Sequence, residues 1–600
     1  MAVESSDHTI ETGSNVSRRD FMKLSGAAGI AAGLGTGSAH SAFAAAPSEN
    51  AAGDNLPGGR YNVLFILTDQ EQFRPELLGK GHWPGRDRLA KMGTSFTNHQ
   101  ICAAVCTPSR SVIYTGQHIQ HTGMFDNTNF PWTEDMSYDV PTIGHMMREA
   151  GYYTTYQGKW HLHDQLHEHF GDDHPLQFIG HDMLDRYGFS DFTGIGDIVG
   201  LTLGGYHTDE FVTATAQGWL RRKGATLNSD GQPWCFALNL VNPHDVMFYD
   251  TDLPGQEAQS GDKIWGELNR EPNDRVYKKH WDVPLAESRH QTWDATGRPA
   301  AHLEYQRCRE FLVGKIPNED ARWTRLQDYY LNCISDCDRS VDRILQELDN
   351  LGMLDNTIVI FTSDHGELCG AHGMSGKGAN AFREQNQVPF IIYHPDVHGG
   401  RTCPAVTSHV DIVPSILGMT GADEKVSDKV RKNLHGRDIS AVLSDPENAS
   451  LNAVRDAALY SFSMWSYMDA DWLGEMVQAQ AAGTELTAAT APKPDIRKRS
   501  AIRTIYDGKH KFSRYFNMQQ HNRPKTMEDL VKVNDLELYD LESDPHEMNN
   551  LAVDSKSNGD LLLAMSNTLN RAIEDEVGED DGRFLPEIEG VNWAFDRFDA

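Results

Sequence analysis

The chain has 600 residues, 39% of them apolar and 23% charged. That supports several cores and excludes a disordered, collagen-like or disulfide-stapled chain. Its 54 basic and 86 acidic side chains give a net charge of -32, which opposes unspecific attraction to nucleic acid or to anionic membranes, so neither is expected as a partner.

The first feature in chain order is Ser17-Arg18-Arg19-Asp20-Phe21-Met22-Lys23, followed by a mildly apolar stretch from Leu24 to Ala39 and then Ala42-Phe43-Ala44. A charged start, an apolar middle and a small-residue end predict a signal peptide over residues 1–45, and the adjacent arginines resemble a twin-arginine signal. The expected partner is then the twin-arginine export machinery, and the expected location periplasmic or extracellular. The Gly- and Ala-rich middle is too weakly apolar for a stable membrane anchor, and no other stretch offers the ~18 apolar residues of a spanning helix.

Asn62 to Thr68, ending in Asp69, is a continuous apolar run that suits a strand buried on both faces of a parallel sheet. Trp234 to Leu240, leading to Asn242-Pro243-His244, and Thr357 to Phe361, leading to Asp364-His365-Gly366, repeat the design. Helix patterns at Thr142 to Ala150 and Leu326 to Leu348 lie between them. The predicted class is α/β, with a large mixed, mostly parallel sheet flanked by helices. Polar residues at the carboxyl ends of three strands converge on one sheet edge, where ligands bind in such folds.

Residues 255–319, rich in charge, Pro and Trp, read as an insertion near the site, and Ala479 to Pro494 as a surface loop. Ala501 to Tyr515 and Leu536 to Tyr539 look like strands of a short antiparallel sheet, closed by a helix pattern from Asp560 to Glu576. The expected organisation is a catalytic unit over 60–454 and a smaller C-terminal α+β domain over 455–600. Eight cysteines are too few for a disulfide framework, and Cys333 and Cys337, four apart in a helix pattern, suit core packing.

The most informative segment is Cys106-Thr107-Pro108-Ser109-Arg110, followed by Thr115-Gly116. With Pro108 at a first helical position and Thr107 as N-cap, Cys106 stands at the positive end of a helix. A thiol there has a lowered pKa and an affinity for anions, and Arg110 points back from one turn along. Asp69, Gln70, Asp364 and His365 offer two carboxylates, an amide oxygen and an imidazole, an oxygen-rich set for one hard divalent ion such as Ca2+, with Mg2+ or Mn2+ as alternatives.

The Cys-x-Pro-x-Arg spacing with its Thr-Gly resembles the type I sulfatases, formylglycine-dependent hydrolases of the alkaline phosphatase superfamily. The resemblance runs from about Tyr61 to Ala552. It includes Gly158-Lys159-Trp160-His161, Asn242-Pro243-His244, Ser363-Asp364-His365-Gly366 with His372-Gly373 and Lys377, and Leu536 to Leu541 with Asp544-Pro545 and Asn550-Leu551. It implies an alkaline-phosphatase-like fold and hydrolysis of a sulfate ester to alcohol and inorganic sulfate. It further implies that a formylglycine-generating enzyme oxidises Cys106 to formylglycine (3-oxoalanine). One hydroxyl of the hydrated aldehyde then attacks sulfur and the other expels sulfate. By the same resemblance Asp69, Gln70, Asp364, His365 and position 106 hold the metal. Arg110 and Lys159 polarise the gem-diol, His161 takes a proton during sulfate expulsion, and His244 and Lys377 meet the leaving oxygen.

Gln70 and His365 depart from the common arylsulfatase pattern and look like those of phosphonate monoester hydrolases and related phosphodiesterases, whereas Lys159 matches the sulfatases. Phosphonate monoester or phosphodiester hydrolysis is therefore the alternative activity. His372 in its Gly-rich loop reads as a solvated or backbone-bonded side chain, with substrate contact as the alternative, and His163, His167 and His169 read as a solvated loop, with a second metal site as the alternative. Trp265, Trp281, Trp293, Trp465 and Trp472 offer aromatic faces to a sugar ring or a quaternary ammonium, with packing as their ordinary role. The expected substrate is a sulfated small molecule or carbohydrate.

Overall fold

The computed structural model describes residues 61–130, 132–164, 182–194, 202–261, 263, 267–484, 492–587 and 594–596. The signal segment, His167, His169, Trp265 and residues 485–491 of the Ala/Thr/Pro stretch lie outside the described residues.

Eight strands form the main sheet: β1 (Asn62–Asp69), β2 (Thr94–Gln100), β3 (Tyr153–Gly158), β4 (Ser190–Thr193), β5 (Trp234–Pro243), β6 (Thr357–Ser363), β7 (Phe390–Tyr393) and β8 (Arg401–Ser408). Their order is β4-β3-β5-β1-β6-β7-β2-β8, and only β7 runs against the others. Alternate residues of β1 enter opposite cores. Val63, Phe65 and Leu67 pack with Tyr114, Trp160 and Ile360, while Leu64 and Ile66 pack with Phe236, Phe361 and Leu345. Both faces are therefore dry, which is why these strands read as unbroken apolar runs. The helix foreseen from Leu326 spans Asp320–Asn350.

Register brings the chemistry to one edge. Asp69 pairs with Pro243 of β5, and Thr68 with Ser363 of β6, so the carboxyl ends of three adjacent strands lie side by side. Gly158 ends β3 at φ 95°, where an added Cβ would stand 1.8 Å from the Asn239 carbonyl oxygen. Only glycine fits there, and it sets Lys159 on the same edge.

A second, antiparallel sheet takes the order β13-β11-β10-β9, from β9 (Ala458–Phe462), β10 (Ala501–Tyr506), β11 (His510–Phe516) and β13 (Asp535–Asp540). A short parallel pair, β12 (Gln520–Asn522) with β14 (Ala594–Asp596), stands apart from it. The run foreseen as one strand from Ala501 to Tyr515 is a hairpin. Asp507 Oδ1 accepts from the Lys509 and His510 amides at 2.9 and 2.7 Å, and Gly508 supplies φ 94°. The Gly559–Glu576 helix lays Leu562, Leu569 and Ile573 on Leu459, Ile505, Phe512 and Leu538 of this sheet.

That helix ends in a buried charge cluster tied to the main sheet. Arg455 reaches Asp411 at 2.7 Å and Glu576 at 2.9 Å, and His118 Nε2 lies 2.8 Å from Glu576. Burial alone would raise the Glu576 pKa, but Arg455 and His118 hold it at about 2, against an ordinary 4.5. A depressed carboxylate contributes stability that is complete above about pH 4.5 and lost as pH falls toward 2, here on the order of 3 kcal/mol. Urea unfolding of Glu576→Gln should therefore show a large deficit against the wild type near neutrality that narrows steadily below about pH 4.5. A deficit independent of pH would refute this role.

Candidate active site

Every residue of the Cys106–Thr115 helix is buried. The helix starts at Cys106 rather than at Pro108, and Thr107 is not its cap. The Thr107 hydroxyl donates instead to the His161 carbonyl at 2.7 Å, and its amide to Asn127 Oδ1 at 3.2 Å. Proline is tolerated throughout a first turn because those amides lack helical partners, so its position does not fix the start. Cys106 nevertheless keeps the positive end of the helix.

Around Cys106 Sγ stand Lys377 Nζ at 3.2 Å, His365 Nε2 at 3.3 Å, and Lys159 Nζ and Asp69 Oδ1 at 3.7 Å. Arg110 lies one turn behind. Its Nε donates to Asp364 Oδ2 at 3.0 Å, Nη2 to Asp69 Oδ2 at 3.2 Å, and Nη1 to the Lys159 carbonyl at 2.8 Å and Asn239 Oδ1 at 3.3 Å. Lys159 Nζ lies 2.6 Å from Asp69 Oδ2, and Lys377 Nζ donates to Gln70 Oε1 at 2.6 Å. Asp69, Gln70, Cys106, Arg110, Lys159, Asp364, His365 and Lys377 thus converge from loops after β1, β3 and β6 and from one helix. His244, buried in the turn after β5, is within electrostatic reach of Lys377, Lys159, Asp69 and His365. His161 is buried beside them, at φ 58°.

Two residues that sequence reasoning passed over complete the frame. Glu367 accepts from Gln70 Nε2, from the Cys369 amide at 2.9 Å and from the Gly376 amide, so it fixes which way the Gln70 amide faces and ties down the loop carrying Lys377. Asn239 Oδ1 accepts from Tyr114 at 2.6 Å as well as from Arg110. Other expectations are corrected. His372 is fully buried, bonded through Nδ1 to Gln291 at 2.8 Å and stacked on Phe382 at 3.5 Å, so it is not solvated. His163 is likewise enclosed by Tyr138 and Asp135, because aromatic and acidic neighbours distant in sequence cover it. Trp281, Trp465 and Trp472 pack into cores, and Trp293 donates to the Gly373 carbonyl at 3.0 Å.

The electrostatics follow from three cations and two carboxylates sealed together. Burial would raise the Asp69 pKa, but Lys159, Lys377, His244 and Arg110 hold it well below the usual range. Asp364, raised by burial and by Asp69 against the pull of His365 and Arg110, stands at about 6. Burial lowers His365 to about 4. Burial, with Lys377 and Lys159 beside it, pushes His244 well below neutrality. His365 Nδ1 donates to the Gly366 carbonyl at 3.0 Å, which leaves the Nε2 lone pair facing the site. The ligand atoms of Asp69, Cys106, Asp364 and His365 lie within 4.8 Å of one another, with the Gln70 oxygen adjoining. This donor set, mostly oxygen with one oriented imidazole, fits a divalent cation.

A family model for sulfatases matches residues 61–422, more than half of the chain and all of the groups just described. The chain belongs to the sulfatase family. This sulfatase is a sulfuric ester hydrolase. It is 24% identical over 526 residues to an N-acetylglucosamine-6-O-sulfatase of Bacteroides thetaiotaomicron, an alignment covering 82% of each protein. Its fold, alkaline-phosphatase-like, is similar to that of a solved 2-O GAG sulfatase, with TM-score 0.60, 18% identity, and coverage of 88% of this chain and 94% of that one. It is also similar to the phosphonate monoester hydrolase of Silicibacter pomeroyi, with TM-score 0.56, 18% identity, and coverage of 87% and 96%. A twin-arginine translocation signal matches residues 15–35. The sulfatase is therefore exported through that machinery to the periplasm or the extracellular space. No described helix is long and apolar enough to cross a membrane.

Proposed function

We propose that this sulfatase cleaves a sulfated small molecule or carbohydrate with a formylglycine formed from Cys106 and one divalent cation, most naturally Ca2+. The observation that carries this reading is the enclosure of Cys106 Sγ by Lys377, His365, Lys159 and Asp69, all within 3.7 Å. Hydrated formylglycine supplies an oxygen nucleophile for sulfur. A cation held by Asp69, Gln70, Asp364, His365 and position 106 supplies positive charge to the sulfuryl oxygens.

The chain's own residues do the rest. Arg110, fixed by Asp364 and Asp69, and Lys159, fixed by Asp69, orient the oxygens at position 106 without reorganising. Lys377, with Asp69 Oδ1 at 3.5 Å and the Gln70 amide oxygen at 2.6 Å to hold it, faces the leaving oxygen. His244 is neutral in the resting site, and an entering sulfate monoester offsets the two lysines and restores the basicity it needs to carry a proton to the leaving alkoxide. His161 accepts the proton released as sulfate departs. The catalytic unit is assigned to residues 60–454 and the smaller domain to 455–600. The insertion at 255–319 is assigned a supporting role at the site, since Tyr305 donates to the Ser375 carbonyl at 2.6 Å. Likeness to the N-acetylglucosamine-6-O-sulfatase over most of both chains favours a sugar.

The test is the mass of the tryptic peptide from Met92 to Arg110, in protein made beside a formylglycine-generating enzyme, together with sulfate release before and after chelation. Formylglycine at 106 and activity lost to chelator and restored by Ca2+ are expected. A thiol at 106 in fully active protein would overturn the reading. Gln70, His365 and the phosphonate hydrolase fold neighbour motivate one further arm: faster turnover of an aryl phosphonate monoester than of an aryl sulfate would transfer the assignment to that activity.

A further inference from the structure

Arg309 is 4% exposed, on the Ala300–Val313 helix within the 255–319 insertion. Its Nε donates to Ser375 Oγ at 2.9 Å and its Nη2 to the Met247 carbonyl at 3.3 Å. Ser375 lies two residues before Lys377, and Met247 three after His244. The guanidinium is therefore pinned between the two segments that carry the proposed leaving-group residues.

Both of its acceptors are neutral. At the reacting centre, Arg110, Lys159 and Lys377 have carboxylate oxygens at 3.0, 2.6 and 3.5 Å. Arg309 has none within 4.0 Å among the described residues, and its Nη1 donates to none of them. A buried cation without a counter-ion is unfavourable unless an anion visits it. It is also held still: a Cβ at Gly376, at φ 79°, would stand 2.7 Å from Arg309 Nε.

We propose that Arg309 is a subsite for a second anionic group, a carboxylate or a second sulfate, carried by the substrate on its leaving-group side. The proposal rests on the reading of position 106 as the reacting centre. A fixed guanidinium binds such a group with charge-assisted hydrogen bonds and loses little freedom in doing so. Such a subsite lets an acidic protein hold a doubly charged ligand, because the cations are concentrated in one recess.

The experiment measures kcat/KM on phenyl sulfate, on phenyl sulfate bearing a ring carboxylate and on phenyl sulfate bearing a second sulfate group. The two doubly charged arms identify which anion is read. The wild type should favour at least one of them over phenyl sulfate by about tenfold or more, and Arg309→Gln should reduce that ratio about tenfold, mainly through KM. Arg309→Lys should keep part of the preference, and because the readout is a ratio, partial unfolding of a variant does not obscure it. No preference in the wild type, or a ratio unchanged in Arg309→Gln, overturns the proposal. Failure of the underlying reading shows separately, as wild-type protein that keeps a thiol at 106 and releases no sulfate from phenyl sulfate itself.

Discussion

Replacing Cys106 by alanine should abolish sulfate release, by about 10⁴-fold or more, while the protein stays folded. The loss is expected to be that large because among the described residues no other nucleophile stands between Lys377 and Lys159, and the surrounding cations stabilise charge only on an oxygen that has already attacked. The fold should tolerate the change because only the small polar group on the β-carbon at position 106 leaves a site packed by polar groups, a loss of about 1–2 kcal/mol at most. Arg110, Lys159 and Lys377 remain, so the variant should still bind a sulfate ester. Unchanged circular dichroism, retained binding in calorimetry and no turnover is the expected triple. Activity within tenfold of the wild type would remove position 106 from the chemistry.

Arg110→Met should be the most damaging single substitution for stability as well as for activity. The guanidinium is fully buried and bridges Asp69 and Asp364, which repel one another. Methionine fills much of the volume but removes the guanidinium's bonds to Asp364, to Asn239 and to the Lys159 carbonyl. Breaking a buried ion pair from one side costs about 3–5 kcal/mol. The urea midpoint should fall accordingly, and sulfate release should vanish in the fraction that remains folded. A midpoint within error of the wild type would show that water or a rearranged lysine replaces the guanidinium.

Much of this architecture was legible in the amino-acid order because its signals are local. β1, β5 and β6 announce themselves because both sheet faces are covered, so no polar residue interrupts the run until the strand meets the site. Other strands carry no such signal: β2 is Thr-Ser-Phe-Thr-Asn-His-Gln, and β8 at the sheet edge contains Pro404. β9 is five residues long and exists because β10 and the Cys102 carbonyl pair with it. At the site, residues attached to strand ends were found by motif. Glu367, Asn239 and Arg309 were not, because each acquires its role from partners tens to hundreds of residues away. Asn239 sits inside an apolar run, where a reading by pattern assigns it to the core. His372 and His163 show the converse error, since a loop rich in glycine or histidine says nothing about what covers it.

The charge cluster of His118, Asp411, Arg455 and Glu576 sets a timetable. Three of its members are made early, but the Glu576 carboxylate that Arg455 and His118 meet arrives only when the Gly559–Glu576 helix has left the ribosome. The last partner of this cluster is therefore added near the end of synthesis. Cys106, 2% exposed once the structure has closed, is beyond the reach of any modifying enzyme from then on. The oxidation proposed for it must fall within that interval, before the finished protein is handed to a translocase that moves cargo already folded.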